Sequence, residues 1–257
     1  MYKNLEKLIK TIEILRSPTG CQWDREQTHS TLKKNMLEEA YEAVDAIDAN
    51  DMKHLKEELG DVLLQVVLHS QIAKESGAFN IDDVAKTINE KLIHRHPHVF
   101  GDVKVNSTDD ILKNWEELKK EEKPHRTSIM DGISKAQSAL MSAQKISKKA
   151  VNVGFEWPNE KTLYECFFSE VEEFKAAQTQ DEKEDEFGDI LFAAVNLARW
   201  NKIDAEQALL RANRKFMARF RKMEELATKD LTQYSFEEYN ELWKQAKKAI
   251  YTEKEQV

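Results

Sequence analysis

Glu57-Glu58-Leu59-Gly60-Asp61-Val62-Leu63-Leu64-Gln65-Val66-Val67-Leu68 is the stretch whose reading decides the fold. After Glu58 it is apolar almost all round, which marks a helix expected to be buried on several sides. Asp61 stands at the mouth of that run and Glu58 one turn before it. A carboxylate in such surroundings is strongly disfavoured unless it is paired, hydrogen-bonded or metal-bound. Upstream lies Glu38-Glu39-Ala40-Tyr41-Glu42. On helices, Glu39 shares a face with Glu42, and Glu58 with Asp61. A turn near residues 48–51 lies about eight residues from each pair. Two antiparallel helices joined there bring these carboxylates to one level, about 12 Å from the turn at 1.5 Å per residue.

The same design recurs. Glu186-Phe187-Gly188-Asp189-Ile190-Leu191 matches Glu58-Leu59-Gly60-Asp61-Val62-Leu63, and Glu170 and Glu173 match Glu39 and Glu42 across a shorter turn. Asn89-x-Lys91 with Arg95 matches Asn213-x-Lys215 with Arg219, and Trp115 matches Trp243. An acid cluster, a cation pair and a late Trp therefore repeat in one order. The reading is an all-α protein of two tandem helical-bundle domains, four to five helices each, over residues 1–122 and 133–257. Residues 123–132 form a charged linker between them. Helices are expected over 3–16, from a cap at Ser30 or Thr31, over 82–94, from Ser107 or Thr108, and over 133–151. Cys21 to His29 reads as an irregular stretch dense in chemically able side chains.

Composition agrees with a helical, water-exposed chain. Of 257 residues 33% are charged and 40% hydrophobic, with only 7 Gly and 4 Pro to punctuate strands and turns. The net charge of −8 argues against a nucleic-acid polymer or an anionic membrane as partner. No apolar run is long enough to span a bilayer and no leader pattern is present, so a cytoplasmic protein with Cys21 and Cys166 reduced is the expectation.

Carboxylates gathered at one level raise one another's pKa, and a divalent cation relieves them. Oxygen ligands without His or Cys suit Mg²⁺, with Mn²⁺ as the alternative, and Mg²⁺ is commonly completed by water and substrate phosphates. Lys91 with Arg95, and Lys215 with Arg219, are placed to hold further phosphate oxygens. Trp115, Trp243 and Trp23 are candidate base platforms, although a core anchor is the commoner use of such a residue. Metal, phosphate ligand and activated water together point to phosphoanhydride hydrolysis. His94, His96 and His98 around Pro97 read as a helix end rather than a metal tract.

With Trp23-Asp24-x-x-Gln27-Thr28-His29 before the acid hairpin, these residues resemble the MazG family of the all-α NTP pyrophosphatase superfamily. The likeness extends through Gly154-Phe155-Glu156-Trp157 and Glu170 to Asp189. It implies hydrolysis of nucleoside triphosphates to the monophosphate and pyrophosphate, in a nucleotide-clearance role. It implies Mg²⁺ held by Glu39, Glu42, Glu58 and Asp61, and by Glu170, Glu173, Glu186 and Asp189, with Glu38 completing the first motif. It also implies a cytoplasmic oligomer, most often a homodimer. The chain departs from the family pattern at Gln22, where Pro is usual, and at Ser169, which stands where the first half has Glu38.

Two other readings are compatible with carboxylate-rich helices. A ferritin-like di-metal oxidase expects Glu-x-x-His on bundle helices. Here that spacing occurs only at Glu26/His29 and Glu122/His125, outside the acid hairpins. A non-catalytic dimerisation or regulatory module, with one or both acid clusters as relics, is the alternative from a different class.

Overall fold

Because the run after Asp61 is apolar, the helix that carries it becomes the spine on which its neighbours pack. The computed structural model describes residues 2–122 and 127–255. Among them every regular element is helical. Contacts divide the chain into two units, Met1–Lys123 and Pro124–Val257. Residues 123–126 of the expected linker lie outside the described residues.

The first unit runs α1 (Lys3–Leu15), α2 (Gln22–Glu26), α3 (Lys33–Asp48), α4 (Met52–Glu75), α5 (Ile81–Arg95), α6 (Pro97–Phe100) and α7 (Thr108–Glu121). α4 is the spine: α3 packs along it, and α1 and α5 lie against it. The core joins Ile12, Leu32, Val67 and Leu68, with Leu8, Ile9, Leu64 and Ile81 around them. Asn50 makes the α3–α4 turn by adopting a left-handed φ of 55°, a conformation Asn tolerates because its short polar side chain satisfies local backbone. Asp51 then caps α4, accepting from the Lys53 and His54 amides at 3.0 Å each.

The second unit runs α8 (Ala139–Val151), α9 (Glu160–Ala176), α10 (Gln180–Trp200), α11 (Ala205–Leu226), a 3₁₀ turn (Leu231–Gln233) and α12 (Phe236–Glu255). α9 packs along α10 as α3 does along α4, and α8 crosses α10. Thr179, at the position matching Asp51, caps α10 in a capping box with Glu182. A second cluster, Met223, Leu242 and Ala246, ties α11 to α12.

Several expectations are corrected. α3 starts at Lys33 after Leu32, without a side-chain cap. Thr28 and Thr31 bond each other's backbone amides instead, and Leu32, 1% exposed, takes the cap position because the core needs it. The stretch expected to be irregular contains the short α2. α8 begins at Ala139 rather than near residue 133, where Ser138 accepts from the Met141 amide. α4 is covered on several sides, by α1, α3 and α5, while Leu59 is 53% and Leu63 39% exposed. Among the described residues the main contacts with it come from α1, α3 and α5, and on the α3–α4 hairpin Leu37 and Tyr41 also stay exposed.

Candidate metal centres and their surroundings

The antiparallel hairpins bring carboxylates together from both arms. In the first unit, oxygens of Glu39, Glu58 and Asp61 lie within 4.8 Å of one another. Glu58 is only 6% exposed, because α3 covers the first turns of α4. In the second unit Glu170, Glu186 and Asp189 form the matching group. Glu42 and Glu173 stand outside these tight groups but close enough to act on them electrostatically. Glu38 is exposed and joins neither group.

Charge crowding marks both clusters. Burial pushes the Glu39 carboxyl above its ordinary value, and the charges of Asp61 and Glu42 add to that rise. Glu58 is raised by burial and by Glu42 and Asp61, while His54 opposes the shift from 2.8 Å away. Glu170 is raised by burial, then by Glu173 and Asp189. Glu186 is raised by burial, then by Glu173, Asp189 and Glu170. Such groups share a divalent cation more comfortably than they share protons. The donor set is all oxygen, three carboxylates from two helices.

The partners around the clusters differ. Gln65, one turn beyond Asp61, lies close enough to Glu39 to oppose the rise of its carboxyl. Sequence reasoning passed it over, although it is the one amide interrupting an apolar run. His54 was missed likewise. In the second unit the Ser169 hydroxyl donates to Glu173 at 2.8 Å, and the Cys166 thiol reaches Glu170 at 3.8 Å.

The cation pairs also diverge. Arg95 is clamped by Glu122, with Nε at 2.9 Å from one carboxylate oxygen and Nη2 on the other. This guanidinium holds Glu122 down at about 2. Arg95 and Lys119 lie over the Trp115 ring, at 5.7 and 4.0 Å from its centre. Arg219 repeats the ring contact over Trp243 at 5.7 Å, and among the described residues no carboxylate clamps it. Lys91 and Lys215 are exposed. Trp23 is 59% exposed, on the α2 segment. That segment is anchored by Arg16, which donates to the Asp24 and Gln27 carbonyls and pairs with Glu75 at 2.7 Å. The second unit has a comparable anchor, Arg199 on Glu156 at 2.6 Å and on Ser147 at 2.7 Å.

An all-helical chain with a carboxylate cage in each of two hairpins defines a class of acid-caged helical proteins. Comparison with known proteins narrows it. A family described as MazG nucleotide pyrophosphohydrolase domain matches residues 27–100. The chain is 49% identical over 246 residues to the nucleoside triphosphate pyrophosphohydrolase/pyrophosphatase MazG of Thermotoga maritima, covering 94% of this chain and 95% of that one. It is 40% identical over 255 residues to the nucleoside triphosphate pyrophosphohydrolase of Escherichia coli K12, covering 95% and 97%. A solved mazG-related protein of Thermotoga maritima aligns with 45% of this chain and 98% of its own, at 31% identity and a TM-score of 0.39. The chain belongs to the MazG family.

Proposed function

We propose that this protein hydrolyses nucleoside triphosphates to the monophosphate and pyrophosphate with Mg²⁺ held in its acid cages. The observation that carries the reading is the convergence of three carboxylates within 4.8 Å, once in each hairpin. The names of the Thermotoga maritima and Escherichia coli relatives support the substrate class.

In the first unit Glu39, Glu58 and Asp61 would hold the cation, with Glu42 beside them; in the second, Glu170, Glu186, Asp189 and Glu173. Mg²⁺, or Mn²⁺ in its place, would supply positive charge against the phosphate oxygens and favour loss of a proton from the attacking water. The remaining tasks fall to side chains. Attack by water forms one P–O bond as the bond between the α- and β-phosphates breaks, and a carboxylate not engaged by the cation accepts the water proton. Glu38 and Glu42 are the candidates in the first unit, Glu173 in the second. Lys215 and Arg219 would hold departing pyrophosphate, with Trp243 beside the base. Lys91, Arg95, Trp115 and Trp23 would serve the first unit, where Glu122 competes with phosphate for Arg95.

The exposed residues of the α3–α4 hairpin, Leu37, Tyr41, Leu59 and Leu63, would be covered in a homodimer, since apolar area of this kind is a normal site of subunit contact. Sedimentation equilibrium tests that, with Leu63→Glu expected to shift dimer to monomer. No described helix is long and apolar enough to cross a membrane. Action in the cytoplasm, where nucleoside triphosphates are made, completes the proposal.

The deciding experiment measures pyrophosphate release from a panel of nucleoside triphosphates by the wild type, Asp61→Asn, Asp189→Asn and the double variant. The double variant is expected to fall to background, and each single variant reports the other unit. Orthophosphate as the only product, or turnover undiminished in the double variant, would refute the reading. No turnover by the wild type would favour a regulatory helical module.

A further inference from the structure

α4 carries Glu58, Asp61, Gln65 and His69 at spacings of three, four and four residues, so all four lie on one stripe of the helix. Two of them have polar atoms that are buried without a protein partner, Gln65 Oε1 and His69 Nε2. Gln65 as a whole is 4% exposed. Orphaned buried atoms are uncommon in folded proteins and call for an explanation. Here the two sit one turn apart on the same stripe, where side chains are neighbours.

His69 has a second unusual contact. Its Nδ1 lies 2.8 Å from Nδ1 of His29, and the two rings are parallel with centres 5.1 Å apart. Two ring nitrogens at that distance share one proton, and the tautomer of one ring is set by what the other does. His29 is exposed and His69 half-buried. Burial and the neighbouring His29 both disfavour a charge on His69. With His29 donating, His69 accepts at Nδ1 and carries its own proton on Nε2. That makes the orphan nitrogen a donor and the orphan Gln65 oxygen an acceptor one turn away on the same stripe. The amide N–H group of Gln65 is then left for Glu39, where Gln65 opposes the rise of the carboxyl.

We propose that His29, His69 and Gln65 form a hydrogen-bonded chain that positions Glu39 in the first cage, with one ordered water between His69 Nε2 and Gln65 Oε1. A buried water with donor and acceptor partners of this kind is a normal structural component. Outer partners that orient metal-binding carboxylates change metal affinity without touching the ion. The chain gives His29, in the Gln27-Thr28-His29 stretch before the acid hairpin, a physical role. It belongs to the first unit alone, because Ala193 and Leu197 occupy the positions matching Gln65 and His69. The proposal rests on the reading of the acid cluster as a metal cage.

The test is Mn²⁺ binding followed by electron paramagnetic resonance on the full chain. The background is Asp189→Asn, so that the first unit is read by itself. Gln65→Ala, which installs the second unit's residue, is expected to weaken Mn²⁺ binding about tenfold. His69→Leu is expected to weaken it similarly, and adding it to Gln65→Ala should bring no further loss, because both break one chain. His69→Gln, which keeps an N–H donor, should restore affinity to within about threefold of the parent. Losses that multiply in the double variant, or Gln65→Ala binding within about twofold of the parent, would overturn the chain. If Gln65→Ala fails to fold by circular dichroism, the contrast between His69→Leu and His69→Gln still decides, equal affinities overturning it. A parent that binds no Mn²⁺ in the first unit overturns the metal reading itself, and the chain with it.

Discussion

Adding Mg²⁺ to the metal-free protein should stabilise both units if their acid clusters hold the ion as proposed, and the size of the response follows from general thermodynamics and the geometry. A ligand at about 100 times its Kd that binds only the folded state adds about 2.7 kcal/mol. Unfolding entropy near the midpoint is about 2.1 cal/mol/K per residue, and the first unit spans Met1–Lys123. Its unfolding entropy is then about 0.26 kcal/mol/K, which turns the Mg²⁺ increment into a Tm rise of roughly 10 °C. The pH dependence has a definite sign. Glu39, Glu58, Glu170 and Glu186 are all raised above their ordinary values. A raised carboxyl contributes stability that is full below its unfolded value and lost as pH rises through its folded one. The metal-free cages therefore weaken the fold as pH climbs from the mid-fours. Mg²⁺ takes the charged forms, so its increment should be larger at about pH 7.5 than at about pH 5. Differential scanning calorimetry with Mg²⁺ or EDTA at both pH values reads this directly. Glu58→Gln should abolish the shift of the first unit and Glu186→Gln that of the second. A shift that survives both substitutions, or that grows toward acid, would rule out Mg²⁺ binding at these carboxylates.

Other consequences concern the anchors around the cages. Glu122 lies near 2 on Arg95, so its contribution to stability is present above the ordinary carboxylate value and lost as pH falls toward 2. Glu122→Gln should therefore lower Tm at neutral pH, with the gap to wild type closing in thermal melts run at progressively lower pH. Arg199→Ala leaves Glu156 and the buried Ser147 without the guanidinium that bonds both. It should cost about 2–3 kcal/mol in urea unfolding of the second unit. Leu32→Ala empties a site 1% exposed at the start of α3. Equilibrium unfolding should show a loss of about 2–5 kcal/mol, with little change in the Mg²⁺ increment.

What was legible in the sequence was local or doubled. The pairs at three-residue spacing declare their helix faces, and the equal arms about the turn declare their common level. The cages described here join one member of the first pair to both members of the second, as at Glu39, Glu58 and Asp61. What escaped was set by distant partners. Glu122 meets Arg95 across 27 residues, and Glu156 meets Arg199 across 43. No periodicity announces either bond. The start of α3 departs from cap preference for another reason: Ser30 and Thr31 are good caps by type, but core packing places Leu32 at the boundary. The apolar run of α4 reads as burial on several sides, which α1, α3 and α5 supply, but it does not tell that Leu59 and Leu63 stay open within one chain. Periodicity reports that a face avoids water; it does not report whether the cover belongs to the same chain.

Comparing the halves position by position shows which features the duplicated frame requires. Asp51 and Thr179 occupy matching positions and both cap the second helix of their hairpin, so that role belongs to the frame. Three residues on, the match breaks. His54 pairs with Glu58 inside the first cage, whereas Glu182 turns back to complete the capping box of α10. Gln65 opposes the rise at Glu39, while Ala193 has no polar group to offer and Cys166 lies against Glu170 instead. The same carboxylates thus sit among a histidine and an amide in one unit, and among a thiol and a hydroxyl in the other. Since charge and hydrogen bonding at the ligands govern metal affinity, the two cages are not interchangeable. A biphasic metal titration is best assigned by substitutions at Gln65 and Ser169. Substituting the shared carboxylates would remove a cage outright and leave no graded difference to read.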